Sequence, residues 1–243
     1  MELTLNIAVV TDVGCVRDHN EDAAAVDGTV IQHDHGDPET WALTVEQPVR
    51  VVVCDGMGGH LGGETASLIA ASNLSKPVED VETDIQRISD HLTLLGHKRP
   101  DLAGMGTTVV VAEVRPDGTA SVFHVGDSRA YLADPELTAL TIDDRVAANL
   151  PVLTQALGAI DRPVIVHRYD LDLLAGQRLL LCSDGLVDVV AEAAIESLLE
   201  ADDAPARLVS AALEAGAPDN VTVALVEVVT SPKRRLSPAE ASL

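Results

Sequence analysis

Val49-Arg50-Val51-Val52-Val53-Cys54-Asp55-Gly56 is the stretch on which the reading of this chain turns. A β-branched apolar run this short is read as a buried strand, and it stops on a carboxylate beside a glycine. The same ending recurs at Val125-Gly126-Asp127-Ser128 and at Leu181-Cys182-Ser183-Asp184-Gly185. A single Asp-Gly after a strand is an ordinary turn. The repetition is joined by Asn20-Glu21-Asp22 near the first strand and by Asp219-Asn220 just before the last. Carboxylates therefore stand at many strand ends, and strand ends from packed sheets converge on one edge.

Outward from this stretch, further strands are predicted at Ile7 to Thr11, Thr107 to Val114, Ala120 to Val125, Arg178 to Cys182 and Val221 to Val228. Arg115-Pro116-Asp117-Gly118 lies between two of them, and a Pro-Asp-Gly turn there calls for an antiparallel hairpin rather than a purely parallel sheet. Val81, Ile85, Ile88, Leu92 and Leu95 are spaced by four, three, four and three residues, which makes one apolar stripe on a helix of the outer layer. Helices are also predicted at Glu64 to Leu74, Ala191 to Leu199 and Pro205 to Ala215, the last closed by Gly216. Strands in runs with helices between the runs suggest sheets packed together with helices outside. His33 to Pro48 reads as a loop with a short strand, and Ser231 to Leu243, with Lys233-Arg234-Arg235, as a solvated disordered tail.

Composition narrows the function. The 243 residues suit one domain, with residues 1–230 expected to form it. Hydrophobic residues make up 47% of the chain and aromatic ones 2%, so the core must be built from Val, Leu, Ile and Ala. The 39 acidic residues against 16 basic ones give a net charge of -23, which repels nucleic-acid backbones and acidic membranes, so neither is expected as a partner. Three scattered cysteines, Cys15, Cys54 and Cys182, fit neither a zinc site nor a disulfide framework. Together with an N-terminus lacking a basic leader, they lead us to expect a cytoplasmic monomer.

Carboxylates gathered within about 4 to 5 Å raise one another's pKa unless cations neutralise them, so the cluster is credible as an oxygen-ligand site for Mg²⁺ or Mn²⁺. Paired divalent ions lower the pKa of a shared water and stabilise in-line displacement at phosphorus. Other phosphate chemistries fit poorly. A cysteine phosphatase needs arginine six positions after its nucleophile, where this chain has Glu21, His60 and Asp188. Gly58-Gly59-His60-Leu61-Gly62-Gly63 is not followed by the Lys-Ser or Lys-Thr of a P-loop. Asp170-Leu171-Asp172 lacks the pattern of an aspartyl-phosphate enzyme and is read as a loop, while His19, His60 and His124 are read as structural.

Thr11-Asp12-x-Gly14-x-Val16-Arg17-x-x-Asn20-Glu21-Asp22, Asp55-Gly56-Met57-Gly58-Gly59-His60, Gly106-Thr107-Thr108, Gly126-Asp127-Ser128-Arg129-x-Tyr131-Leu132, Ser183-Asp184-Gly185-Leu186 and Asp219-Asn220-Val221-Thr222 follow one another along the chain. In this order they resemble the motifs of the bacterial type 2C metal-dependent protein serine/threonine phosphatases, from about residue 7 to 228. The resemblance implies an α+β fold, a four-layer α-β-β-α sandwich of two antiparallel sheets flanked by helices. It also implies phosphoprotein substrates and two or three Mn²⁺ or Mg²⁺ ions per chain, with a metal-activated bridging water as nucleophile. Asp55 matches the bridging carboxylate, Gly56 a carbonyl ligand, and Asp184 and Asp219 further ligands. Glu21 and Asp22 match acidic residues that coordinate metal or orient its water, Asp127 a carboxylate linked to a third, weaker metal, and Arg17 the arginine that grips the phosphate.

The chain departs from the family twice. Met57 stands where eukaryotic members place a histidine, and it is read as packing. Between Asp144 and Leu153 lie only eight residues, a shortened flap at the place where substrate selectivity and third-metal behaviour are usually tuned. The alternatives are a phosphoprotein-binding pseudophosphatase and a small-molecule phosphate monoesterase; the intact carboxylates argue against the first, and the short flap leaves the second open.

Overall fold

The structure, a computed structural model, describes residues 2–32, 37–76, 80–147, 152–159 and 162–231. The predicted tail beyond Ser231, the start of the predicted loop at His33 and the tip of the shortened flap lie outside the described residues. In chain order the first elements are β1 (Thr4–Asp12), β2 (Ala23–Val26), β3 (Thr29–Ile31), β4 (Glu39–Thr44), β5 (Val49–Cys54) and β6 (Gly56–Met57). Next come α1 (His60–Leu74), α2 (Val81–Lys98), β7 (Gly106–Thr107), β8 (Val109–Val114), β9 (Thr119–Val125), β10 (Arg129–Asp134) and β11 (Glu136–Ala139). The chain continues with β12 (His167–Asp172), β13 (Arg178–Cys182), α3 (Asp184–Val187), α4 (Glu192–Leu198), α5 (Ala204–Glu214) and β14 (Val221–Thr230).

The strands form two antiparallel sheets, ordered β11-β10-β13-β14-β1-β4 and β12-β9-β8-β5-β2-β3, and β6 pairs with β7 in a small ribbon. Each main sheet has one face against the other sheet and one against helices, which is why β5 is apolar almost throughout although its pairing is antiparallel. Val51 and Val53 point between the sheets, where they meet Ile7, Val9, Val110, Leu179 and Val226. Val52 and Cys54 point the other way, onto Ala66 and Ala70 of α1 and Ile85 and Leu92 of α2. On the opposite outer face, Leu180, Val223 and Leu225 pack under Leu186 of α3, Ile195 of α4 and Leu208 of α5. The result is the expected α-β-β-α sandwich.

Local chemistry fixes the register. The Pro-Asp-Gly turn joins β8 to β9, with Arg115 N–H donating to Thr119 O at 2.9 Å and Gly118 N–H to Arg115 O at 3.0 Å. Helix α5 ends as predicted, Gly216 N–H bonding Leu213 O and Ala217 N–H bonding Ala212 O. Arg50 of β5 is 1% exposed and is held by Asp84 of α2 at 3.0 Å and Glu113 of β8 at 2.9 Å. Such a buried guanidinium is tolerated because both charge and donors are matched, and it ties helix layer to sheet. Two expectations need correction. Asp170-Leu171-Asp172 is the end of β12, not a loop: these residues pair with Ser121, Ala120 and Thr119 at the sheet's edge. The strand predicted from Thr107 to Val114 breaks after Thr107, because Thr108 turns its backbone N–H to Asp55 O.

Candidate active site

The antiparallel pairings deliver the carboxylates to one edge. Ala23 pairs with Cys54, which sets Asp22 beside Asp55 where β2 begins and β5 ends. Cys182 pairs with Val223 and Asp12 with Val221, which brings Asp184, Asp219 and the loop carrying Arg17 and Glu21 to the same end of the other sheet. Asp127 follows β9. Two glycines make the approach possible: a Cβ on Gly56 would overlap the carbonyl oxygens of Gly63 and Glu21, and one on Gly185 would overlap that of Asn220. Carboxylate oxygens of Asp55, Asp127 and Asp184 consequently lie within 4.8 Å of one another.

The electrostatics are those of a cluster suited to cations. Burial, then the charges of Asp22, Asp184, Asp127 and Asp219, hold the Asp55 carboxyl well above the usual carboxylate range. Burial also raises Asp22 to about 7 against hydrogen bonds that favour its ionised form. Ser183 Oγ and Thr222 Oγ1 donate to its Oδ2 at 2.8 and 2.7 Å, whereas the buried Oδ1 has no partner among the described residues. Asp184 is likewise raised to about 7, by burial and by Asp127, Asp188 and Asp219. A buried acceptor with an unused lone pair and hard oxygen donors at this spacing fit Mg²⁺ or Mn²⁺.

A cleft of about 600 Å³ opens over the cluster, lined by Arg17, Glu21, Asp55, Gly56, Asp127, Asp184 and Asp219 among others. Seven of the eight residues singled out from sequence line it; Asp22 lies just beneath, 1% exposed. Arg17 stands at the mouth, its Nη2 donating to Asp219 Oδ2 at 2.6 Å. His19 Nε2 lies 2.9 Å from Oε1 of Glu21, one of the ligand candidates. His124 is buried between strands, and burial lowers its pKa to about 4. Met57 forms part of the cleft wall.

Several contributors are assigned no role by the sequence, although Thr107, Thr108 and Asn220 stand inside its motifs. Thr107 Oγ1 and Thr108 N–H both donate to Asp55 O at 2.9 Å, and Asp55 N–H donates to Thr108 Oγ1 at 3.0 Å, so the Gly-Thr-Thr motif fixes the backbone of Asp55. Asn220 pins the Arg17 loop: its Oδ1 accepts Glu21 N–H at 2.8 Å and its Nδ2 donates to Val13 O and His19 O. Arg145, from the shortened flap, enters the cluster. Its Nε donates to Asp127 Oδ2 at 2.6 Å, its Nη2 to Asp184 Oδ2 at 2.8 Å, and its Nη1 to Asp188 Oδ1 at 3.0 Å. Asp127, expected to face a third cation, is thus engaged by a guanidinium. An arginine directly after Asp143-Asp144 is the only cue in the sequence, and it has no spacing to interpret.

A metal-assisted hydrolase acting on phosphate esters is the class that this sandwich and carboxylate edge define. Residues 46–235 match the family described as Stage II sporulation protein E (SpoIIE). The serine/threonine phosphatase stp of Listeria innocua is 32% identical over 252 residues, spanning 89% of this chain and 93% of that protein. The solved S. agalactiae serine/threonine phosphatase superposes with a TM-score of 0.77 at 27% identity, covering 92% of this chain and 99% of that one. The catalytic domain of serine/threonine protein phosphatase PstP, solved in complex with 2 manganese ions, gives 0.73 at 31% identity, with 93% and 99% covered. The chain belongs to the bacterial type 2C metal-dependent protein serine/threonine phosphatases. It is an enzyme of that activity, and divalent metal is part of its chemistry.

Proposed function

We propose that the protein hydrolyses phosphoserine and phosphothreonine esters of proteins, as a cytoplasmic monomer, at a centre where Asp55, the Gly56 carbonyl, Glu21, Asp184 and Asp219 hold two Mn²⁺ or Mg²⁺ ions. The observation that carries this reading is the convergence of Asp55, Asp127 and Asp184 within 4.8 Å at the floor of an open cleft. Bound there, the ions would supply a shared water acidified to hydroxide at neutral pH and would offset charge developing on the phosphoryl oxygens. The protein's own residues do the rest. Asp55, its backbone fixed by Thr107 and Thr108, presents its carboxylate to the cleft. Asp22 keeps Oδ2 on Ser183 and Thr222 and leaves Oδ1 free to accept a hydrogen bond. Arg17, 47% exposed on its side chain, can swing from Asp219 to grip phosphate oxygens in a charge-assisted fork. Free thiols at Cys15, Cys54 and Cys182 fit a reducing compartment.

The test is phosphate release from a phosphothreonine peptide after EDTA treatment, with and without Mn²⁺, run beside metabolite phosphates. Release should need metal and favour the peptide. Asp55→Asn should lower the rate by about 10³-fold, the several kcal/mol that metal-centred charge stabilisation supplies, while the fold is retained by circular dichroism. Metal-independent turnover, or an active Asp55→Asn protein, would sink the assignment.

A further inference from the structure

We propose that Arg145 is a built-in cation: its guanidinium holds the place beside Asp127 and Asp184 that a third divalent ion would need, so this enzyme takes up two ions and no third. The inference rests on the two-ion reading above. Its first support is occupancy. Arg145 and Asp127 are each 6% exposed on their side chains, so their 2.6 Å contact is not a solvated surface pair that a passing ion could displace at little cost. The same guanidinium spans Asp184 Oδ2 at 2.8 Å and both oxygens of Asp188, at 3.0 and 3.2 Å. A small divalent ion takes oxygen ligands at about 2.0–2.1 Å in near-octahedral array. An ion bridging Asp127 and Asp184 would need the oxygens and the space that Arg145 fills.

The second support is delivery, because the guanidinium is placed by a braced backbone. Asp144 N–H donates to Gly126 O at 2.7 Å, and Gly126 N–H donates back to Asp144 Oδ2 at 2.9 Å, which locks the base of the flap to the turn that carries Asp127. Gln155 Nε2 donates to the same Oδ2 at 2.8 Å, and His167 Nε2 sits 3.0 Å from Oδ1. Around the antiparallel bridge of Arg145 with Leu153, Thr154 N–H bonds Asp144 O at 2.6 Å and Val146 N–H bonds Val152 O at 2.9 Å. Shortening the flap therefore leaves Arg145 little slack. A guanidinium stays charged at every pH the protein would meet, and its planar fork suits carboxylate oxygens. Arg145 acts here as a positioning residue, neutralising Asp127 and orienting Asp184 toward the paired ions.

The readout is Mn²⁺ stoichiometry by equilibrium dialysis with metal analysis, on the EDTA-stripped protein, Arg145→Gln and Asp127→Asn, each with a thermal melt. Two ions are expected in the unmodified protein, two in Asp127→Asn, and three in Arg145→Gln, the added one at least tenfold weaker. Three ions in the unmodified protein, a lower count in Asp127→Asn, or a folded Arg145→Gln protein that stays at two would each overturn the proposal. Should Arg145→Gln fail to fold, the other two proteins still decide it. Binding of no manganese at all would overturn the two-ion reading, and with it this inference, and is distinguishable from a count of three.

Discussion

Arg17 illustrates how a side chain can be both paired and available. Its contact with Asp219 is short but lies at the mouth of the cleft, where solvent screens it and a competing phosphate can replace it. Arg17→Ala should therefore raise KM for a phosphothreonine peptide by about tenfold, the order expected for one charge-assisted bond, with kcat within about twofold. An unchanged KM in steady-state kinetics would remove Arg17 from phosphate binding. The carboxylates are legible in the amino-acid order because each follows or precedes an apolar strand, and a strand end is a place that sequence can locate. Arg145 is not, because its neighbours form no periodic element, and its partners lie 18, 39 and 43 residues away. Thr108, Ser183, Asn220 and Thr222 stand inside recognisable motifs, yet nothing in their order says which backbone or carboxylate each holds.

Among the elements, α2 offers the clearest test of the reading by periodicity. Leu92 is fully buried between this helix and the sheet, whereas Leu94, two residues on, is 50% exposed. Leu92→Ala should cost about 2–5 kcal/mol and lower the melting temperature by roughly 2–4 °C for each kcal/mol. Leu94→Ala should stay within about 0.5 kcal/mol. Equal losses in thermal melts would mean that the helix is rotated from the orientation described. Strands β5 and β13 are plain in the sequence because both faces are covered and their residues are correspondingly apolar. Strand β12 is hidden, and β4 shows only as a short strand without bounds, for the opposite reason: they are edge strands whose residues alternate between half-buried and exposed, HRYDLD and ETWALT. Short β2 and β3 carry too few residues for a period to show.

At the scale of the molecule, the cluster makes stability depend on pH and metal together. Asp22 and Asp184 stand near 3.8 in the unfolded chain and near 7 in the cation-free fold. Between those values the folded protein holds protons that the unfolded chain has released, so stability falls as pH rises through the window. Asp80, bonded by the Thr83 backbone, and Asp101, bonded by Arg99, are shifted the other way and act below 3.8, outside it. Buried His124, lowered from 6.5 to about 4, works against the trend inside the window, but it is one group against two raised carboxyls, so the net slope stays downward. The metal-free melting temperature should thus be higher at pH 5 than at pH 7.5, and millimolar Mn²⁺ should raise it more at pH 7.5. A metal-free melting temperature that rises from pH 5 to 7.5 would contradict the buried cluster. Asp55 follows β5 of one sheet, while Asp184 and Asp219 flank β13 and β14 of the other. Mechanically the sandwich is a pair of plates glued by aliphatic contact over their area; ions held as proposed would rivet them at one rim, so whatever prises the plates apart would first have to strip the rivets, and the phosphatase centre would double as the clasp of its own scaffold.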